Sequence, residues 1–479
     1  MKPEPFPLAE IYALYLSAAE SVQESGAGYN IGFHWSERHL QCVWFDARYR
    51  PPSFSLPGGE SVTVLDPGEW NLEAGPDFLN AALLIQPGAR QLRGDVEVHV
   101  RPSDWDAHKH HADPAYAGVI AHVTWFSGPP PRSLPGHVCH LSLAEPILSN
   151  PRLSLDDIDL KAYPHAILPL SPRPCESLLR CAPETSRALL AAAGQFRLRA
   201  KTARIKARLE QIGDRHQVFY EEVMAALGYK RNQPTFRTLA RILPVHALAD
   251  SREKAFASLL GAAGLLPQPE IADDEEGCNF IRVLWDLWWK SSSDTLPADT
   301  NWQMASLRPQ NSPVRRLAAA AALFSGVSNI LTDLGQALDT SAPCWHETAQ
   351  KIFEARCRWP FWNHRLSFAS AADADHQTTL LGASRTAAIL TNVVVPFAAA
   401  EGTLPEGVPD LLPPEDLSSP MRLTANHLFG RDHNPALYAG SGLLQQGLLQ
   451  INLDFCINAK PGCEECRLCA SIKDSAPSG

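Results

Sequence analysis

The chain has 479 residues, of which 45% are apolar and 20% charged, and its formal net charge is -10. That length exceeds what one hydrophobic core usually serves, so two or three domains are expected. The apolar content excludes a chain disordered throughout, and the acidic balance argues against nonspecific nucleic-acid binding while leaving local patches open.

The N-terminal sequence MKPEPFPLAEIYALYL carries Pro and Glu where a signal peptide needs a basic start and an apolar run. No uninterrupted run of 18 apolar residues occurs, so no membrane partner is expected and the expected location is the cytoplasm. Residues 1–45 read as two amphipathic helical stretches, the second ending in SERHLQCVWF. From Ser61 the texture becomes β-rich: SVTVLD, AALLI, DVEVHV and VIAHVTWF are short runs separated by DPG, QPGA and SDWDAH turns. Pro-rich segments at 129–135 and 163–174 close this region. Residues 175–450 read as helical, opening with ETSRALLAAAGQFRLRAKTARIKARLEQI, and the stretch 401–420 reads as an acidic, proline-rich loop. The expected fold is α+β: an N-terminal mixed-sheet domain over 1–170, a large α-helical domain over 175–450, and a four-cysteine metal-binding tail over 451–479.

In DVEVHV, Asp95, Glu97 and His99 alternate with valines, so on a strand they share one face. The bland alternative is a half-buried strand whose polar face meets water. Pro76-Asp77 begins the preceding apolar run, and a hairpin through QPGA would bring Asp77 near Glu97. Two neighbouring carboxylates repel unless a cation lies between them, and their oxygens suit Mg²⁺ or Mn²⁺, which can activate a bound water. This arrangement resembles the PD-(D/E)xK nuclease superfamily, with Pro76, Asp77 and Glu97 in the acidic positions and His99 where that pattern has Lys. The resemblance implies a metal-dependent nuclease in which Asp77 and Glu97 hold the metal and His99 positions the water. A helix glutamate often completes such sites; Glu37 is the first candidate and Glu73 the second.

A rival reading lies in the same stretch. His99, His108, His110, His111 and His122 are five of the 17 histidines, set among Asp104, Asp106 and Asp113. Imidazole with carboxylate suits Zn, Mn or Fe, and this constellation would serve a His/Asp metallohydrolase acting on a small molecule. For each histidine alone, a hydrogen-bonded structural role is the simpler assignment.

Over most of its length the chain resembles a bacterial family that carries no assigned activity, a domain of unknown function. The shared texture is N-x-x-AGPDF-x-NA, then G-x-VE-x-H, then SDW-x-x-H-x-H-x-x-D-x-x-Y and an I-x-HV strand. Here it is supplied by Asn71, AGPDF at 74–78, Asn80, Ala81, Gly94, Val96, Glu97, His99, Ser103, Asp104, Trp105, His108, His110, Asp113, Tyr116, His122 and Val123. GDRHQVFYEEVMAALGYKRN and RPQNSPVRRLA extend the likeness into the helical half.

Cys456, Cys463, Cys466 and Cys469 follow C-x6-C-x2-C-x2-C. In a reducing compartment such crowding suggests a metal rather than disulfides. Three cysteines at steps of three favour a [4Fe–4S] cluster, with Zn the alternative. The loop is similar to the C-terminal iron–sulfur loop of endonuclease III-type glycosylases, which has five residues before its last cysteine where this chain has two.

Six cations between 197 and 208, among them Arg199, Lys201, Arg204 and Lys206, could contact phosphates, as could Arg308, Arg315 and Arg316; the alternative is an ordinary solvated, ion-paired face. WDLWW at 285–289 reads as core packing. Three functions therefore stand: a metal-dependent nuclease with DNA as its partner, a His/Asp metallohydrolase of a small molecule, or a non-enzymatic nucleic-acid-binding or scaffold protein.

Overall fold

The structure is a computed structural model that describes residues 4–21, 35–56, 58–71, 75–148, 182–248, 251–291, 302–304, 307–326, 330–339, 344–373, 377–430 and 433–456, with the single positions 155, 158, 160, 163, 375 and 468. It divides into two compact units. A sheet unit comprises residues 11–186, 419–433 and 448–479, and a helical unit comprises residues 1–10, 187–418 and 434–447.

The sheet unit holds the 7-stranded mixed sheet, with strand order β1-β2-β4-β5-β6-β7 and β3 pairing separately with β4. The strands are β1 (Phe54–Ser55), β2 (Ser61–Asp66), β3 (Glu69–Trp70), β4 (Phe78–Gln86), β5 (Arg90–His99), β6 (Val119–Thr124) and β7 (Cys139–Ser142). β1, β2, β4 and β5 run antiparallel, whereas β5, β6 and β7 run parallel. β1 and β7 touch, so the sheet curls most of the way to a barrel. β4 and β5 form the hairpin through QPGA, in register from Ile85↔Arg90 to Phe78↔Val96 with a bulge between Phe78 and Ala81.

Alternation along β5 sends Val96 and Val98 into a core with Leu40, Trp44, Phe78 and Leu141. Glu97 and His99 take the opposite face, yet they too are buried. Over residues 96–99 both faces of β5 are covered, so a wet polar face is excluded at Glu97 and His99. After α1 (Ala9–Ser21), the helix α2 (Glu37–Phe45) follows Ser36, whose side chain and backbone both meet His39 in a reciprocal cap. Between β5 and β6 the chain makes the short helix α3 (Asp104–Ala107) and two 3₁₀ turns, His110–Ala112 and Pro114–Tyr116.

In the helical unit, Glu221 and Glu222 on the helix Arg215–Leu227 are buried and bind a ring of arginines. Arg204 donates to both oxygens of Glu222 at 2.9 and 2.8 Å, Arg237 reaches it at 3.0 Å, and Arg241 binds Glu221 at 2.9 Å. Arg208 bonds both acids. The run 383–400 is long and apolar enough to cross a membrane by length and composition, but 67% of it is buried inside the protein. It changes from α to π geometry at Leu390–Val394, just before Pro396. Proline has no N–H to donate and its ring crowds the carbonyl four residues back, and the wider π turn accommodates both.

Among the described residues, the group that could hold a metal is a set of histidines rather than the expected four-cysteine tail. Cys456 ends the π turn Asn452–Cys456, and Cys463, Cys466 and Cys469 lie outside the described residues. The converging ligands belong to the sheet unit and are imidazoles.

Candidate metal centre

Three segments supply the site. β5 ends at His99, α3 terminates on His108, and the following 3₁₀ turn begins with His110. Between the last two, Lys109 adopts φ 58, ψ 31, a left-handed conformation that non-glycine residues adopt at a cost. The kink lets two histidines separated by one residue turn to the same side.

The ligand atoms of His99, His108 and His110 all lie within 4.8 Å of one another. His99 Nε2 stands 3.1 Å from His108 Nδ1 and 3.2 Å from His110 Nε2. Glu97 Oε1 is 3.3 Å from both His99 Nε2 and His110 Nε2. One proton on His99 Nε2 cannot serve three neighbours at hydrogen-bonding distance, whereas one cation among them can. Zinc held by bonds of about 2.0–2.1 Å sets tetrahedral ligands about 3.4 Å apart, close to the separations found. The donor set therefore fits an imidazole-binding divalent ion.

The surroundings shape the charge. Burial opposes charging of His99, but the hydrogen bond and negative charge of Glu97 prevail and carry its pKa up to about 9. Burial, with His99 and His140 beside it, drives His122 down to about 2, so it is neutral. Glu37, at the start of α2, is pushed up to about 7 by burial and by the charges of Asp77, Asp104 and Glu97, although His99 pulls the other way. Burial and the charges of Glu97, Asp77, Asp113 and Glu37 raise Tyr116, which keeps its proton at neutral pH. Its ring stacks on His110 with centroids 3.8 Å apart. His99 and His110 are buried while His108, Glu37 and Tyr116 keep partial access to solvent, so the open side of the site lies toward these three.

The carboxylate pair expected to hold Mg²⁺ or Mn²⁺ is organised otherwise. Asp77 Oδ2 accepts from the Val98 amide at 3.0 Å, and Glu97 Oε2 accepts from the Asp77 amide at 3.1 Å. These bonds tie the hairpin to itself, and among the described residues the convergent ligand group is the histidine triad. Among the described residues the geometry therefore points to a His-coordinated, zinc-type site rather than to Mg²⁺ or Mn²⁺ on carboxylates or [4Fe–4S] on thiolates. Asp95 accepts from the Asn80 amide at 3.1 Å, Asp104 from the Arg101 amide at 2.8 Å and Asp113 from the Ala115 amide at 2.9 Å. His122 lies behind His99, at 2.9 Å from its Nδ1. His111 is exposed, and Glu73 lies outside the described residues.

Three of the four cations singled out on the basic helix are engaged by other side chains. Arg199 bonds Glu10, Lys201 bonds Asn392, and Arg204 belongs to the Glu222 ring; Lys206 is exposed. Arg315 and Arg316 are buried, donating to the carbonyls of Thr379 and Leu380 at 2.9 and 2.7 Å, whereas Arg308 is exposed at the head of a 3₁₀ turn. All three triad histidines stand out in the sequence, but the sequence pattern assigns the metal to the carboxylates. It singles out neither His140 nor a role for Tyr116, and the His-x-His spacing of 108 and 110 is the signal it offers for the triad.

A family model described as "Protein of unknown function (DUF2851)" matches residues 37–406. Neither a curated protein nor a solved structure matches the chain.

Proposed function

The chain belongs to the DUF2851 family, whose description assigns no activity, and we propose from its histidine triad that it is a metal-dependent hydrolase of a small molecule. The observation that carries this reading is the convergence of His99 Nε2, His108 Nδ1 and His110 Nε2, with Glu97 Oε1 3.3 Å from two of them. Zinc is the fitting ion, since neutral imidazoles with a carboxylate match its ligand preference. When bound, such an ion polarises a substrate carbonyl or phosphoryl oxygen and lowers the pKa of a bound water.

The protein's own groups supply the rest. Glu37, partly accessible and raised to about 7 by burial in the metal-free protein, is the group assigned to take a proton and return it. Tyr116, protonated and stacked on His110, offers a donor at the rim. Glu97 is either the fourth ligand or the acid that orients the imidazoles. The PD-(D/E)xK likeness supports a nuclease less well, because Asp77 Oδ2 is bonded to a backbone amide and Glu97 Oε1 faces the imidazoles.

Purified protein stripped with chelator and titrated with zinc should take up one ion per chain, and His108→Ala and His110→Ala should each lose that uptake. Zinc-loaded protein should hydrolyse activated small-molecule esters or phosphomonoesters, and Glu37→Gln should lower turnover by about 10²–10⁴-fold while keeping the metal. Equal zinc uptake by wild type and His108→Ala would overturn the site. Full turnover in Glu37→Gln would remove that residue from the reaction.

A further inference from the structure

β6 reads VIAHVT, and all six of its positions are buried. A strand covered on both faces is ordinarily apolar, so a histidine at its centre needs a reason. His122 is 0% exposed, and burying an imidazole costs free energy unless its nitrogens are paired. One of them is: His122 Nε2 meets His99 Nδ1 at 2.9 Å. The other is not, since His122 Nδ1 is buried with no hydrogen-bond partner. Valine or phenylalanine would fill the position without that cost, so the bond to His99 is what the residue contributes.

The bond is placed by the sheet. β5 and β6 are parallel, with Glu97 opposite His122 and His99 opposite Thr124. β6 and β7 are parallel in turn, with His122 opposite His140. The ring of His140 packs 5.2 Å from that of His122, and Trp105 packs 5.4 Å from it on α3. His122 is therefore held between neighbours on three segments and has little freedom to rotate away.

The direction of this bond matters for the ring it touches. Nε2 of His99 is the nitrogen that faces His108, His110 and Glu97. For that nitrogen to offer a lone pair to an ion, the proton of neutral His99 must sit on Nδ1 and be donated backwards. Metal-ligating histidines almost always donate their second N–H to a fixed acceptor, which sets both tautomer and ring orientation. We infer that His122 is the positioning residue of the metal centre: its Nε2 accepts the His99 Nδ1–H and so fixes His99 as an Nε2 ligand. This rests on the triad being a metal site and adds to it a neutral imidazole acceptor buried behind the ligand.

The experiment separates the two claims. Zinc uptake by the wild type tests the site itself; zinc affinity and His99 tautomer, measured only once that uptake is established, test His122. Competition with a chromophoric chelator should show zinc binding weakened about 10–100-fold in His122→Phe, the range set by lost outer-shell partners. His122→Gln, whose side-chain oxygen can accept the same proton, should recover part of that loss. His140→Phe, which leaves the His99–His122 bond in place, should bind zinc within a few-fold of wild type. In full-length zinc-loaded wild type with ¹⁵N-labelled histidine, the His99 resonance, assigned by its loss in His99→Gln, should report a protonated Nδ1 and a metal-bound Nε2. Wild-type affinity in a folded His122→Phe, or a His99 bound through Nδ1, would overturn the inference. The tautomer measurement needs no His122 variant, so it decides the matter even where that substitution prevents folding.

Discussion

His99 meets any incoming ion as a charged ring: Glu97 holds its pKa at about 9, so at neutral pH the metal-free side chain carries two protons. Ligation needs the neutral imidazole, and metal binding therefore displaces protons. Because the pKa of the metal-free form is raised above neutrality, zinc affinity should climb as pH rises from 7 toward 9 and level off beyond. Calorimetric titration in buffers of different ionisation enthalpy should find about one proton released per zinc at pH 7 from this residue, falling toward zero above pH 9. Lys109 is the second residue whose conformation matters. Its left-handed φ costs a non-glycine residue about 1–2 kcal/mol, and glycine loses about 1 kcal/mol of that relief to chain entropy. Lys109→Gly should thus leave stability nearly unchanged, while Lys109→Val, branched at Cβ and poorly suited to this region, should lower both stability and zinc affinity. Chemical denaturation with zinc titration on the same samples checks both.

At the scale of elements, the helix Arg215–Leu227 is tied to its neighbours through charge. Burial opposes ionisation of Glu222, yet Arg204, Arg237 and Arg208 hold its pKa well below the usual carboxylate range. Its contribution to stability is complete above the unfolded pKa of about 4.5 and is lost as pH falls through the depressed folded value. Glu222→Gln leaves buried guanidinium groups uncompensated and should cost about 3–5 kcal/mol at pH 7. The variant should also show a shallower loss of stability below pH 4.5 than wild type, measured by urea denaturation at pH 7 and pH 3. The same helices show how far sequence reasoning reaches. DVEVHV and VIAHVTWF are legible as strands because alternation and β-branched residues carry their own signal. β1 and β3, two residues each, carry too little pattern to be seen alone. The cations at 199–208 are legible as a basic run, but their acids, Glu10, Glu221 and Glu222, come from elsewhere in the chain, and only tertiary structure pairs them. Asp77 misleads for a related reason: a carboxylate that accepts a backbone amide looks, in sequence, like one waiting for a cation. The cysteine spacing suggests a cluster, whereas the histidines that converge are drawn from three short segments whose meeting depends on the kink at Lys109.

Across the whole molecule, the chain forms two compact units, and the histidine site lies wholly within the sheet unit. Its ligands come from the end of β5 and from the 104–116 connection, a segment of short turns that few backbone ladders restrain. His99 is anchored by the sheet; His108 and His110 are not. An ion that binds only the folded site stabilises it by about 2.7 kcal/mol at a free concentration of 100 Kd, and that stabilisation should concentrate where ordering depends on the ion. Hydrogen exchange of the full chain, with and without one equivalent of zinc, should therefore show the largest gain in protection across residues 104–116, a smaller gain at the end of β5 and in β6, and little change at the buried Glu221–Glu222 helix. His110→Ala should abolish the gain in 104–116 while leaving protection of the β4–β5 hairpin, which is held by its own register and by the Asp77 and Glu97 bonds to backbone amides. A uniform gain over both units, or an undiminished gain in His110→Ala, would place the ion's effect somewhere other than the triad.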